Sequence, residues 1–156
     1  TLLALCTTDT FAAGGSLFGV ADLRALATDT HKFESRYLDS MVGPWPEDEQ
    51  VYVDRSPITH VESLSTPMIV LQGDEDAVVP PAQAELIVAA LRRRGIPHAY
   101  ILFEGEQHGF RKAPNITRSL EARLAFYGHV LGFDPADDIG LPELESGPRA
   151  ETNHVQ

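Results

Sequence analysis

Pro67-Met-Ile-Val-Leu-Gln-Gly-Asp-Glu-Asp-Ala-Val-Val-Pro80 is the stretch that decides how this chain is read. It opens with an apolar run, Met68 to Leu71, short and closely bounded, which is the pattern of a buried strand. The run stops at Gly73, and three acids follow at once: Asp74, Glu75 and Asp76. A carboxylate on a loop that leaves the end of a buried strand lies where open α/β sheets carry their chemistry. A second exit of the same kind follows in Tyr100-Ile-Leu-Phe-Glu-Gly-Glu-Gln-His-Gly-Phe110. It carries a histidine, His108, three residues past Gly105, as Asp76 stands three past Gly73. A glycine at each exit relieves the strain of the turn.

Working outward, helical and strand patterns alternate. Thr1 to Thr8 has the look of an apolar helix end, and Phe11 to Val20 that of a small-residue buried strand. Asp22 is placed to cap a helix over Leu23 to Ala27. Asp29 is placed to cap a second piece running through Leu38, which Gly43-Pro-Trp-Pro46 ends. Glu47 to Asp54 is acidic and expected at the surface. Ser56-Pro57 opens a turn or short helix. Pro80-Pro81 leads into the clearest helix, Ala82 to Arg94, with Ala84, Ile87, Val88 and Leu91 on one face and Gly95 as its C-cap. His98 to Phe103 is the next strand. Asn115 to Leu131 is the last helix, with Leu120, Leu124, Tyr127 and Leu131 on one stripe. Residues 134–156 are acidic, contain Pro and Gly and lack aromatics, so a disordered tail is expected there, after a unit spanning residues 1–133. Alternation of this kind implies parallel strands with crossover helices, an α/β class. Three parallel strands make a poor sheet alone, and the expectation is that part of the sheet lies upstream of Thr1.

Acid first and histidine about thirty residues later, each after a strand, is the chain order of the last two members of an α/β-hydrolase triad. There the histidine takes the nucleophile's proton, and the acid fixes the imidazole's tautomer. Asp76 is the expected acid. Asp74 and Glu75 are rivals, better read as solvated loop carboxylates. His31, His60 and His98 have no strand-exit glycine, His129 falls inside a helix and His154 in the tail, and all five read as ordinary surface or satisfied histidines. The nucleophile should sit in a G-x-S-x-G elbow, and no such motif is present. Gly14-Gly15-Ser16 comes nearest, but Gly19 falls one place late and the segment reads as strand, so Ser16 is taken as a core-strand residue.

Composition narrows the classes further. The 156 residues include 12 Lys+Arg against 23 Asp+Glu, a net charge of −11. That charge disfavours nucleic acid or an anionic membrane as partner. The one cationic cluster, Arg92-Arg93-Arg94, suits a helix C-terminus. The single cysteine, Cys6, excludes an intrachain disulfide and sits in an apolar run, as a buried thiol would. No H-E-x-x-H or similar cluster is present, so no metal is expected, and triad chemistry of this kind implies no organic cofactor. Asn115-Ile-Thr117 matches a glycosylation sequon, with no secretion signal to support it. A cytoplasmic setting is expected.

Several stretches together resemble the C-terminal part of the catalytic domain of the prolyl oligopeptidase family of serine peptidases, nearest to its acylaminoacyl-peptidase and dipeptidyl-peptidase-like bacterial members. They are Phe11-Ala-Ala-Gly-Gly-Ser-Leu-Phe-Gly-Val-Ala-Asp-Leu23, Thr30-His-Lys-Phe-Glu-Ser-Arg-Tyr37, Val42-Gly-Pro-Trp-Pro46, Arg55-Ser-Pro-Ile58, Leu71-Gln-Gly-Asp-Glu-Asp-Ala-Val-Val-Pro-Pro81 and Glu104-Gly-Glu-Gln-His-Gly-Phe110. The resemblance implies that Asp76 is the triad acid and His108 the triad base. It places Val79 near the pocket for the residue preceding the cleaved bond, and a peptide as substrate. It implies a serine in Gly-x-Ser-x-Gly-Gly just upstream of Thr1, with the first strands and an N-terminal propeller, and a fragment inactive without them. A carboxylesterase on the same fold, or a non-catalytic α/β binding module, are the alternatives.

Overall fold

A computed structural model describes residues 1–29 and 36–146. The proposed cap at Asp29 and the motif beginning at Thr30 fall largely outside them, as do His31, His154 and the last ten residues. A six-residue helix α1 (Leu2–Thr7) leads into strand β1 (Gly14–Leu17). Short helices α2 (Leu23–Asp29), α3 (Tyr37–Met41) and α4 (Glu49–Arg55) and a 3-10 turn over Pro57–Ser63 follow. Then come β2 (Met68–Gly73), α5 (Pro81–Arg94), β3 (His98–Phe103) and α6 (Ala113–Leu131). The three strands lie in the order β1-β2-β3, all parallel, as the alternation of elements predicts.

β2 is central and every residue of it is buried. Its side chains alternate between two cores, as the two-residue period of a strand requires. Met68 and Val70 meet α1, the 3-10 turn and α5 through Leu5, Val61, Ile87 and Leu91. Ile69 and Leu71 meet α6 and β3 through Phe126, Ala122, Ala99 and Phe103. Each such fully buried aliphatic side chain contributes about 1.5–3 kcal/mol of transfer free energy. A strand buried on both faces needs no alternation of apolar and polar residues, which is why Met68 to Leu71 is continuously apolar.

α5 follows its sequence signals closely. Pro81 occupies the first turn, where its missing N–H costs nothing. The helix ends at Gly95 in the left-handed region, φ 68°, with Ile96 N–H donating to the Leu91 carbonyl. The three terminal arginines also have partners: Arg92 forks onto Glu145 at 2.6 and 2.7 Å, and Arg93 and Arg94 both reach Glu62. Glu145 exchanges both backbone hydrogen bonds with His98 at the outer edge of β3. The segment after α6 therefore runs back to the sheet through residue 145.

Three elements differ from the sequence expectation. The strand near Phe11 to Val20 is limited to Gly14–Leu17, because Phe18 turns into the left-handed region at φ 54° after a last ladder bond to the Leu71 carbonyl. The acidic stretch from Glu47 contains helix α4 and is anchored by fully buried Tyr52, whose hydroxyl donates to the Gly43 carbonyl at 2.7 Å while Trp45 packs edge-on. In α6 the leucine stripe is the exposed one: Leu120, Leu124 and Leu131 are 55%, 45% and 52% exposed. The side that meets the sheet is Ser119, Ala122, Ala125 and Phe126. Small residues there let the helix backbone approach the strands, so placement outweighs side-chain size. Cys6 is buried, and burial pushes its thiol pKa up.

Candidate active site

β2 and β3 run in register from Met68↔His98 to Gly73↔Phe103, so both chains leave the sheet at the same edge. The two exit loops are tied together immediately beyond it. Asp74 N–H donates to the Phe103 carbonyl and Glu75 N–H to the Glu106 carbonyl at 2.9 Å. The Asp74 carboxylate accepts the Gly105 N–H at 2.7 Å, and this is the task of that acid. Gly73 has no room for a side chain: a Cβ there would press on the carbonyl oxygens of Glu106 and Gln107. The glycine is therefore required by the close crossing of the two loops, not by a positive φ.

Asp76 turns inward and is 3% exposed, whereas Asp74 and Glu75 face solvent. Its Oδ1 accepts the N–H groups of Val78 at 2.9 Å and Val79 at 2.8 Å, an Asx turn that folds the loop back on itself. Its Oδ2 accepts Gln72 Nε2 at 3.0 Å and His108 Nδ1 at 3.0 Å. Four donors fill the lone-pair directions of an ionised carboxylate. Because the carboxylate accepts, Nδ1 of His108 carries the proton, and Nε2 has no hydrogen-bond partner among the described residues. The imidazole is 42% exposed, with its partner carboxylate wholly covered. Val79 is buried beside the acid, its N–H on Asp76 and its carbonyl accepting from Gln72.

Two features around His108 carry little sequence signal. Phe18 throws its ring toward the imidazole, centroids 5.1 Å apart, and toward Phe110 at 4.9 Å, with Phe103 behind. A phenylalanine at positive φ is uncommon, and such outliers gather at functional sites. Glu106 is buried, and its carboxylate accepts Arg111 N–H at 2.8 Å, Lys112 N–H at 2.9 Å and Asn115 Nδ2 at 2.8 Å. It closes the histidine loop onto the start of α6. Burial pushes the Glu106 pKa up, but these donors outweigh it and hold the carboxyl below its usual range. The loop offers two acids, Glu104 and Glu106, and nothing in its local sequence marks Glu106 as the buried one. A polar residue ending an apolar strand was the sign of Gln72.

The other histidines lie elsewhere. His98 is fully buried at the start of β3 with Nδ1 on the Ile96 carbonyl, His60 bonds the Asp54 carbonyl, and His129 is in the last turn of α6. Ser16 is 4% exposed within β1, consistent with a core-strand residue. Among the described residues no group of three or more His, Cys, Asp or Glu is arranged to hold a metal, and no helix is long and apolar enough to cross a membrane.

The fold is that of several known proteins. The chain superposes on a puromycin-hydrolyzing peptidase of Mycobacterium tuberculosis with a TM-score of 0.87 and 49% identity, over 92% of this chain and 22% of that one. It is 29% identical over 139 residues to dipeptidyl aminopeptidase BIII of Pseudoxanthomonas mexicana, covering 86% of this chain and 20% of the relative. It is 34% identical over 135 residues to the probable carboxylic ester hydrolase LipM of Mycobacterium tuberculosis, covering 80% and 31%. The chain thus spans between a fifth and a third of the length of these proteins. The sheet and its helices are the corresponding portion of an α/β-hydrolase fold. The sequence profile of the prolyl oligopeptidase family matches residues 1–134, and the chain belongs to that family.

Proposed function

We propose that this chain is the C-terminal part of the catalytic domain of a serine peptidase acting on short peptides, with His108 as general base, Asp76 as its orienting acid and the serine supplied by a preceding segment. The observation that carries the reading is the 3.0 Å contact between Asp76 Oδ2 and His108 Nδ1 at the shared exit edge of two parallel strands. The bond fixes the Nδ1–H tautomer, so Nε2 offers its lone pair to a serine hydroxyl. After proton transfer the buried carboxylate stabilises the imidazolium, which then protonates the leaving amine. Water resolves the acyl-enzyme by the same route. Val79, held beside Asp76, borders the pocket for the residue preceding the cleaved bond.

The exposed stripe of α6 and the second edge of β1, unpaired among the described residues, support a larger domain in which further strands cover both. The fragment without its nucleophile is expected to be inactive. The test is a fluorophosphonate probe applied to this chain and to the longer protein that carries it. Labelling of an upstream serine in the longer protein, and none here, is expected; labelling at Ser16 overturns the assignment. In the longer protein, Asp76→Asn should lower kcat on the order of 10⁴-fold by admitting the wrong tautomer. Unchanged turnover would remove Asp76 from the role. The similarity to LipM keeps an esterase as the second reading. Hydrolysis of the peptide amide favours the peptidase; hydrolysis of the matched ester alone favours the esterase.

A further inference from the structure

The strand end beneath Asp76 carries an amide with an unusual distribution of bonds. Gln72 is fully buried at the last turn-out of β2. Its Nε2 faces three oxygens: the carboxylate of Asp76 at 3.0 Å, the carbonyl of Val79 at 3.0 Å and, more distantly, the carbonyl of Gly73 at 3.4 Å. Only the NH₂ end of an amide suits three acceptors, so its orientation is fixed by its surroundings. The price is paid at the other end. Oε1 is buried with no hydrogen-bond partner among the described residues. A buried amide that leaves one end unsatisfied is held by what its other end does.

That other end bonds the same Asp76 oxygen that receives His108 Nδ1. The backbone donors at Val78 and Val79 fix only Oδ1, leaving the carboxylate plane free to rock about them. Gln72 supplies the missing constraint from a strand, an element far stiffer than the loop bearing Asp76. Through the Val79 carbonyl it also fastens the far side of the 73–79 turn to β2.

We propose that Gln72 is the positioning residue of the Asp76–His108 pair. It aims Asp76 Oδ2 at the imidazole and thereby selects the Nδ1–H tautomer of His108. The proposal rests on the reading of that pair as acid and base, but its test does not require turnover. Long-range ¹H–¹⁵N correlation spectra of this chain report the tautomer and the exchange rate of the His108 Nδ1 proton. Gln72→Met keeps the length and apolar bulk of the side chain and removes the donor. Wild type should show the Nδ1–H form with a slowly exchanging proton. Gln72→Met should mix in the Nε2–H form and exchange that proton about tenfold faster or more, the worth of one charge-assisted donor. Asp76→Asn serves as the reference. If it erases the Nδ1–H signature while Gln72→Met leaves tautomer and exchange unchanged, the Gln72 assignment is overturned and the pair stands. If Asp76→Asn changes nothing either, the pair itself fails. Should Gln72→Met not fold, the same spectra are read on Gln72→Asn, whose amide stops one methylene short of Asp76; an unchanged signature there overturns the proposal equally.

Discussion

Gly73→Ala tests whether the crossing of the two exit loops holds the Asp76–His108 geometry. The added Cβ would lie 2.5 Å from the Gln107 carbonyl oxygen and closer still to that of Glu106, where ordinary contacts begin at 3.4 Å. Something must yield by roughly 0.9 Å, and an insertion of this kind into packed structure costs about 1–3 kcal/mol. β2 is not free to yield, since Gly73 pairs with Phe103 and Asp74 N–H is bonded to the Phe103 carbonyl. The histidine loop therefore recedes. A recession of about 0.9 Å along the Asp76–His108 line stretches their 3.0 Å bond to about 3.9 Å, beyond hydrogen-bonding range. Urea unfolding followed by circular dichroism measures the first effect, and the His108 ring-nitrogen spectrum the second. Gly140→Ala, where a Cβ would meet nothing within 4 Å, is the control and should stay within about 0.5 kcal/mol of wild type. A Gly73→Ala chain equal to that control in stability, with the Nδ1–H signature intact, would refute the claim that loop crossing sets the site.

Two further expectations concern the loop and the core. Glu106 has a carboxyl pKa held below its ordinary value in the folded chain, so its stabilising effect is complete above the unfolded value and is lost as pH falls through the depressed folded one. The protection factors of the Arg111 and Lys112 amides should therefore fall in that acid window, and Glu106→Gln should show the lower protection already at neutral pH; pH-independent protection factors in the wild type contradict this. Leu91→Ala, at a fully buried position between α5 and the sheet, should cost about 2–5 kcal/mol in urea unfolding, while Leu120→Ala on the exposed stripe of α6 should stay within about 0.5 kcal/mol in this chain. Equal costs would mean that α6 presents the other face to the sheet.

Much of the fold is legible in the residues themselves because its signals are local. The continuous apolar run of β2, the Pro81 and Gly95 that bracket α5, and Gly105 at φ 65° on the second strand exit are each dictated by backbone chemistry within a few residues. Chain order alone then brings Asp76 and His108 to one edge, since parallel strands joined by helices must exit on the same side. What depends on the packed surroundings was not legible. The buried face of α6 is decided by how closely a helix can approach the strands, which favours alanines over the more conspicuous leucines. Tyr52 lies in an acidic stretch and is buried only because Gly43 and Trp45 fold back onto it.

The sequence by itself settled the two central parallel strands, the long helices α5 and α6, and that an acidic loop and a histidine loop leave the sheet at one edge, because strand and turn preferences act over a handful of positions. Only the tertiary structure decided how the pair is held. Gln72 meets Asp76 across a turn, Phe18 reaches His108 from ninety residues away in the chain, and Gly73 is excluded from bearing a side chain by backbone thirty-three residues later. The last two are contacts between segments far apart in the chain, whose local sequence carries no record of the other.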